Sequence, residues 1–298
     1  MVAVVSLNPA IDVEWRVDHI WWEEKNQVLE ERRWAGGKGI NVARWLKLLG
    51  SKPRLVLPLG GRSGQELARY VRGEQLPATI VPLAQATRAN VVITEPSGRQ
   101  MRFNPLGPIL SKAEWNRLLK AITRVLGKIR FLVLSGALPR GAPVEAYAQL
   151  IRLAHRANVP AILDCDGAAL VEGLKARPFL VKPNVYELSQ WAGSTLRNEA
   201  AIRRAAVAMS AAMKGWVLLS RGAQGAMLVN KSQGFVEACP APKVKVLNTI
   251  GAGDALLAGA VRAMETGSVP ATWLRLGVAA GTAATKRRAG LTPGKMDA

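Results

Sequence analysis

Short apolar runs alternate with stretches whose apolar residues recur at helical spacing. Val2–Leu7 is a continuous buried-type run and predicts a strand. In Gly39–Leu49 the apolar residues Ile40, Ala43, Leu46 and Leu49 fall on one helical face, and Gly50 supplies a stop. The same alternation predicts strands at Arg54–Leu59, Phe131–Leu134, Val159–Leu163, Phe179–Val181 and Trp216–Leu219. It predicts helices at Gly64–Val71, Lys112–Leu126, Val144–Ala157, Glu199–Met213, Ala252–Thr266 and Thr272–Thr285. Repeated strand–helix units predict a mostly parallel sheet with helices on both faces.

Two stretches break the rhythm. Val13–Trp34 and Ala89–Phe103 read as antiparallel strands, the second with a Pro-Ser-Gly turn between Asn90–Thr94 and Gln100–Phe103. Neither brings a helix for its second face, so the two are expected to pair as a small sheet beside the main one. No linker-like segment and no internal repeat interrupts the chain.

Composition narrows the class. The 298 residues are 49% hydrophobic and 21% charged, as in a globular protein. No apolar run reaches the roughly 18 residues of a membrane span, and the start M-V-A-V-V-S-L-N-P has no basic leader. Two cysteines make no disulfide framework. These features predict a cytoplasmic protein. The charge is unusual: 41 Lys and Arg against 21 Asp and Glu, a net +20. Such an excess can attract nucleic acid, an anionic membrane or phosphorylated small molecules. The cations are scattered rather than gathered in a tail, which favours a solvated surface over dedicated nucleic-acid binding.

The candidate chemistry lies in two glycine-rich corners. Residues 248–259 read N-T-I-G-A-G-D-A-L-L-A-G. The Gly251-Ala252-Gly253 turn leads into a helix at Asp254. Glycines let a ligand approach the backbone, and a helix N-terminus favours phosphate. A carboxylate there can take the proton of an attacking hydroxyl, and the helix end is expected to keep Asp254 ionised. The competing role for Asp254 is a plain N-cap. The second corner, A-G-G-K-G-I-N-V-A-R at 35–44, opens a helix on Gly36, Gly37 and Gly39 and carries Asn41 in its first turn. Asn41 could bind a polyol, or the glycines could serve packing alone.

Together G-G-K-G-I-N-V-A-R and N-T-I-G-A-G-D-A-L-L-A-G resemble the two signatures of the ribokinase-like sugar kinases, and most of all the phosphofructokinase B branch. Further matches follow in order: L-N-P-A-I-D at 7–12, T-R-A-N-V at 87–91, F-N-P-L-G-P at 103–108, S-G-A-L-P-R-G at 135–141, L-V-K-P-N-V-Y-E-L at 180–188, S-R-G-A-Q-G-A at 220–226 and G-V-A-A-G-T-A-A-T at 277–285.

The resemblance implies a three-layer α/β/α domain (1–12, 35–88 and 104–298) and a small β-sheet lid (13–34 and 89–103). It implies ATP and Mg²⁺ as cofactors and a phosphorylated ketohexose as substrate. Asp12, Gly37, Lys38 and Asn41 match sugar-site positions. Arg88, Arg102 and Lys25, all placed in lid strands, and Arg140 are the implied cations for the substrate's phosphate. Lys182, Asn184, Ser220, Gly222 and Thr249 match the nucleotide side, and Glu187 with Asn184 a water-mediated Mg²⁺ motif. Thr249, Gly251, Ala252 and Gly253 would form the anion hole, with Asp254 as base.

Some residues depart from the family's pattern. Asn248 stands where many relatives have Asp, Arg221 where an apolar residue is common, and Asp166 where a small hydroxyl residue is usual. Lys286-Arg287-Arg288 replaces part of a small loop expected near the adenine. Trp21, Trp22 and Trp34 fall in the lid, where exposed aromatics would suit a homodimer. The resemblance points to fructose 1-phosphate, phosphorylated at its 6-hydroxyl. Tagatose 6-phosphate or fructose 6-phosphate is the alternative, and a non-catalytic phosphosugar or nucleic-acid binder the rival from another class.

Overall fold

Val2–Val5 is wholly buried and sends alternate side chains to opposite faces, Ala3 and Val5 into one apolar cluster and Val2 and Val4 into another. That pattern needs cover on both sides. The computed structural model describes residues 1–287 and supplies that cover. In chain order the elements are β1 (Val2–Val5), β2 (Ala10–Arg16), β3 (Glu30–Gly36), α1 (Lys38–Leu48), β4 (Pro53–Gly60), α2 (Gly61–Gly73), β5 (Ala78–Leu83), β6 (Arg88–Thr94), β7 (Gln100–Phe103), α3 (Lys112–Leu126) and β8 (Phe131–Ser135). There follow α4 (Ala146–Arg156), β9 (Ala161–Asp164), α5 (Gly167–Lys175), β10 (Leu180–Val181), α6 (Val185–Ala192), α7 (Glu199–Met213), β11 (Trp216–Ser220), β12 (Ala226–Asn230), β13 (Phe235–Cys239), α8 (Ala252–Glu265) and α9 (Pro270–Thr285).

The large sheet has the order β13-β12-β11-β10-β9-β8-β1-β4-β5. It is parallel except at one edge, where β12 runs antiparallel to both β11 and β13. Buried residues of α3, α4, α5 and α7 fill one face, and those of α1, α2, α8 and α9 the other. The result is a ribokinase-like three-layer α/β/α fold. Among the described residues no helix is long and apolar enough to cross a membrane.

The smaller sheet has the order β3-β2-β6-β7. Its centre pairs β2 with β6 in parallel, flanked by antiparallel β3 and β7. The pairing runs past the segments expected from sequence, because Ala10 pairs with both Gly36 and Arg88. Asp12 therefore lies inside β2, between Trp34 and Asn90. Residues 17–29 form no strand, so Lys25 sits in a loop rather than in a lid strand. Asn26 closes that loop by bonding the backbone N–H and carbonyl of Trp21.

Candidate active site

Gly251 adopts φ 78°, a left-handed conformation that favours glycine, and α8 starts directly after it. The first turn of a helix leaves backbone N–H groups without helical partners, and here these groups lie beside Asp254. The Asp254 side chain is buried. Its Oδ2 accepts a hydrogen bond of 2.8 Å from Asn41 Nδ2. The two glycine-rich corners therefore meet.

A buried carboxylate that the sequence reading missed organises the floor of this junction. Asp164, at the end of β9, is fully buried. Its Oδ1 lies 3.2 Å from Lys182 Nζ and 3.7 Å from Lys38 Nζ, and its Oδ2 accepts from Ser135 Oγ at 3.1 Å. Lys38 Nζ also lies 3.9 Å from Glu187 Oε1. Burial works to raise the Asp164 pKa, but Lys182 and Lys38 hold it below the ordinary carboxylate range. Asp164 in turn holds the Lys38 ammonium above its usual range.

Asp254 goes the other way. Burial, with the charge of Asp164 behind it, pushes its pKa up to about 7. The Asn41 hydrogen bond, Lys38 and Lys182 oppose that rise. The helix end is expected to keep Asp254 ionised; burial and the Asp164 charge act against that expectation and raise its pKa. A carboxyl titrating near neutrality can accept a proton from an alcohol and release it again.

Two cavities meet at this point. One, of about 770 Å³, is walled mainly by apolar side chains and backbone, with Val244, Val246, Leu256 and Val278 among them. The other, of about 650 Å³, is polar and is lined by Asp12, Lys38, Asn41, Arg88, Arg102 and Asp254, among others. Asn184, Ser220 and Gly253 line both. At the far end of the polar cavity Asp12 Oδ1 accepts from Asn90 Nδ2 at 2.8 Å. Burial raises the Asp12 pKa, against the Asn90 hydrogen bond and the charges of Arg44 and Arg88.

Gly37 lines the polar cavity, and Gly222, Thr249 and Ala252 the apolar one. Lys182 faces the α8 turn: a Cβ on Gly253 would sit 3.5 Å from its Nζ. Asn184 and Glu187 cap α6 reciprocally. Asn184 Oδ1 accepts from the Glu187 N–H at 2.8 Å, and Glu187 Oε2 from the Asn184 N–H at 2.9 Å. Only Glu187 Oε1 is left to face the cleft. Arg88 gives Nη1 to the Pro105 carbonyl and Nη2 to the Asn8 carbonyl. Arg102 is exposed, with Gln100 as its hydrogen-bond partner.

Two predicted substrate residues line neither cavity. Lys25 is exposed in the 17–29 loop. Arg140 gives Nε and Nη2 to the Gly107 carbonyl and pins the 104–110 segment instead.

Among the departures, Arg221 lines the apolar cavity and pairs with Glu199. Asn248 accepts from the Ile250 N–H, closing the turn before Gly251. Asp166 lines the polar cavity. Arg287 lies 5.5 Å above the Trp45 ring and lines the polar cavity rather than the apolar one; Arg288 lies outside the described residues. Besides Asp164, sequence reasoning passed over Asn8, Arg44 and Asn90. Asn8 stands in L-N-P-A-I-D, Arg44 in G-G-K-G-I-N-V-A-R and Asn90 in T-R-A-N-V, and that was the available signal.

The model of the pfkB family of carbohydrate kinases matches residues 1–295. The 1-phosphofructokinase of Rhodobacter capsulatus is 36% identical over 280 residues, covering 93% of this chain and 88% of that protein. The 1-phosphofructokinase of Haemophilus influenzae is 34% identical over 266 residues, covering 89% and 85%. The structure of Escherichia coli phosphofructokinase-2 in complex with fructose-6-phosphate superposes with a TM-score of 0.89 at 31% identity, over 96% of this chain and 93% of that one. Motifs, fold and relatives agree, and the chain belongs to the pfkB family of carbohydrate kinases.

Proposed function

We propose that the protein transfers the γ-phosphoryl group of ATP to the 6-hydroxyl of fructose 1-phosphate. The choice of sugar is supported by the two relatives named as 1-phosphofructokinases. One observation carries the chemistry. Asp254 sits where a polar and an apolar cavity meet, hydrogen-bonded to Asn41 at 2.8 Å.

The purine lies in the apolar cavity against Val246, Leu256 and Val278. Its phosphates run along Asn184 and Gly253 toward Lys182 and Lys38. The sugar lies in the polar cavity, with hydroxyls on Asp12 and Asn41 and its phosphate toward Arg88 and Arg102. Of those two cations Arg102 is the freer, since Arg88 is bonded to two backbone carbonyls. Asp254 accepts the 6-hydroxyl proton as the oxygen attacks the γ-phosphorus, whose bond to the bridging oxygen breaks to release ADP. The first-turn N–H groups of α8 stabilise the charge on the transferring group.

The donors present fit a Mg²⁺ ion held through water and phosphate. Among the described residues no cluster of three or more His, Cys, Asp or Glu could hold a metal by itself. Glu187 Oε1 is the carboxylate oxygen turned toward the cleft, and Mg²⁺ characteristically retains several waters. The ion would neutralise phosphate charge there.

The exposed Trp21, Trp22 and Leu29 on the β2–β3 loop make the smaller sheet the proposed face of a homodimer. Trp34 serves otherwise, lining the polar cavity.

ADP release measured with fructose 1-phosphate, fructose 6-phosphate and tagatose 6-phosphate tests the substrate. The highest kcat/KM is expected with fructose 1-phosphate. A higher value with either 6-phosphate would reassign it, and no turnover of any would refute the proposal.

A further inference from the structure

Asn41 uses both ends of its amide. Nδ2 donates to Asp254 Oδ2 at 2.8 Å, while Oδ1 accepts from Arg44 Nη1 at 2.9 Å. A guanidinium can only donate, so the Asn41 atom facing Arg44 has to be the oxygen. The end facing Asp254 is then the NH₂ group. Arg44 is itself fixed. Its Nε and Nη2 grip the Glu74 carboxylate, each at 2.7 Å, and Nη2 also donates to the Ala35 carbonyl at 2.9 Å. Glu74 stands immediately after α2, and both side chains are nearly buried, 10% and 13% exposed.

We infer that Arg44, anchored by Glu74, is a positioning residue for the phosphoryl transfer: it locks the Asn41 amide so that Asn41 donates to the Asp254 carboxylate. The opposite amide orientation would turn a carbonyl oxygen toward that carboxylate and favour its protonated, inactive form. The lock also ties down Oδ2, leaving Oδ1 for the sugar hydroxyl. The inference rests on Asp254 being the base.

Other groups face the same centre. Lys38 approaches Asp254 from α1, Asp164 from β9 and Lys182 from the segment after β10. Glu187, on α6, faces Lys38. Asp12 on β2 feels the Arg44 charge, and Arg287, after α9, lines the same cavity. All of these remain in an Arg44 variant.

The test is the pH profile of kcat/KM for Arg44→Lys. Lysine keeps the charge opposite Glu74 but lacks the planar fork that spans Glu74 and Asn41. The acid limb is expected to move up by about one pH unit, with about a tenfold loss at pH 6 that recovers at alkaline pH. In an Asn41→Ala background the same substitution should add no shift. A profile superimposable on wild type, or a shift that persists without Asn41, overturns the inference. If Arg44→Lys fails to fold, as judged by thermal melting, Glu74→Gln takes its place and should shift the limb in the same direction by less; no shift overturns the inference. Asp254→Asn is assayed alongside. Turnover by Asp254→Asn at the wild-type rate removes the base reading and the inference together. An Asp254→Asn slowed by about 10²-fold or more beside an unshifted Arg44→Lys removes only the inference.

Discussion

Gly36 lies so close to Asp12 that a Cβ on Gly36 would fall 2.1 Å from the Asp12 carboxylate. The contact follows from β2–β3 pairing, which sets Asp12 opposite Trp34 and brings the end of β3 past its side chain. Gly36→Ala should therefore push Asp12 off its hydrogen bond with Asn90. The expected result is a rise of about tenfold or more in KM for the sugar phosphate, with KM for ATP nearly unchanged. Overpacking at this point should also cost about 1–3 kcal/mol. Steady-state kinetics and urea melts check both.

Asp254→Asn should lower kcat by at least about 10²-fold. Stability should move the other way. The folded pKa of Asp254 is raised to about 7, above the unfolded carboxylate value of about 3.9. Between those values the folded state binds the proton that the unfolded state has lost, so this group's contribution to stability falls as pH rises through the window. The variant should accordingly melt higher than wild type at pH 8, and the difference should shrink toward pH 4. Calorimetry across that range would contradict the raised pKa if the difference were constant.

The same titration fixes the activity profile. Wild-type kcat/KM should fall on the acid side with a midpoint near 7 as Asp254 takes up its proton. Asp164→Asn removes the negative charge that helps to raise Asp254, so the midpoint should move to lower pH. It also leaves Lys182 buried without its partner, so a loss of about 3–5 kcal/mol is expected. The profile and a melt report the two effects separately.

Val246 is exposed yet lines the apolar cavity. Val246→Asp should leave folding intact and place a carboxylate beside the proposed purine site. KM for ATP should rise by about tenfold, and KM for the sugar phosphate should stay constant. A rise in both would place the nucleotide elsewhere.

Trp22 is 76% exposed at the tip of the smaller sheet. The wild-type chain should sediment as a dimer at micromolar concentration, and Trp22→Glu as a monomer. A wild-type monomer would reject the lid interface.

The layered fold was legible because its strands are buried on both faces and its long helices carry an unbroken apolar stripe. Lys112–Leu126 and Glu199–Met213 are observed with the limits that periodicity predicts. Three of the elements passed over lack those signals, whereas Ala226–Asn230 is wholly buried and was passed over all the same. Val185–Ala192 has eight residues and is set by its capping box. Ala78–Leu83 carries Pro82 on an edge strand, and Phe235–Cys239 is only half covered. In the site, Asp254 and Asn41 announced themselves through flanking glycines. Asp164 did not, because a carboxylate closing an apolar strand looks like any strand end until Lys182 and Lys38 are seen around it. Arg140 looked like a substrate cation because nothing local shows that Gly107 takes its guanidinium.

The bond between Asn41 and Asp254 spans 213 positions of the chain. During synthesis, then, the first corner emerges long before its counterpart, and for most of translation Asn41 has no Asp254 to bond. With Asp254 as the proposed base, catalytic competence would come late, only once α8 has docked beside α1. A nascent or truncated chain that ends before residue 254 could bury much of the sheet and still be unable to spend ATP.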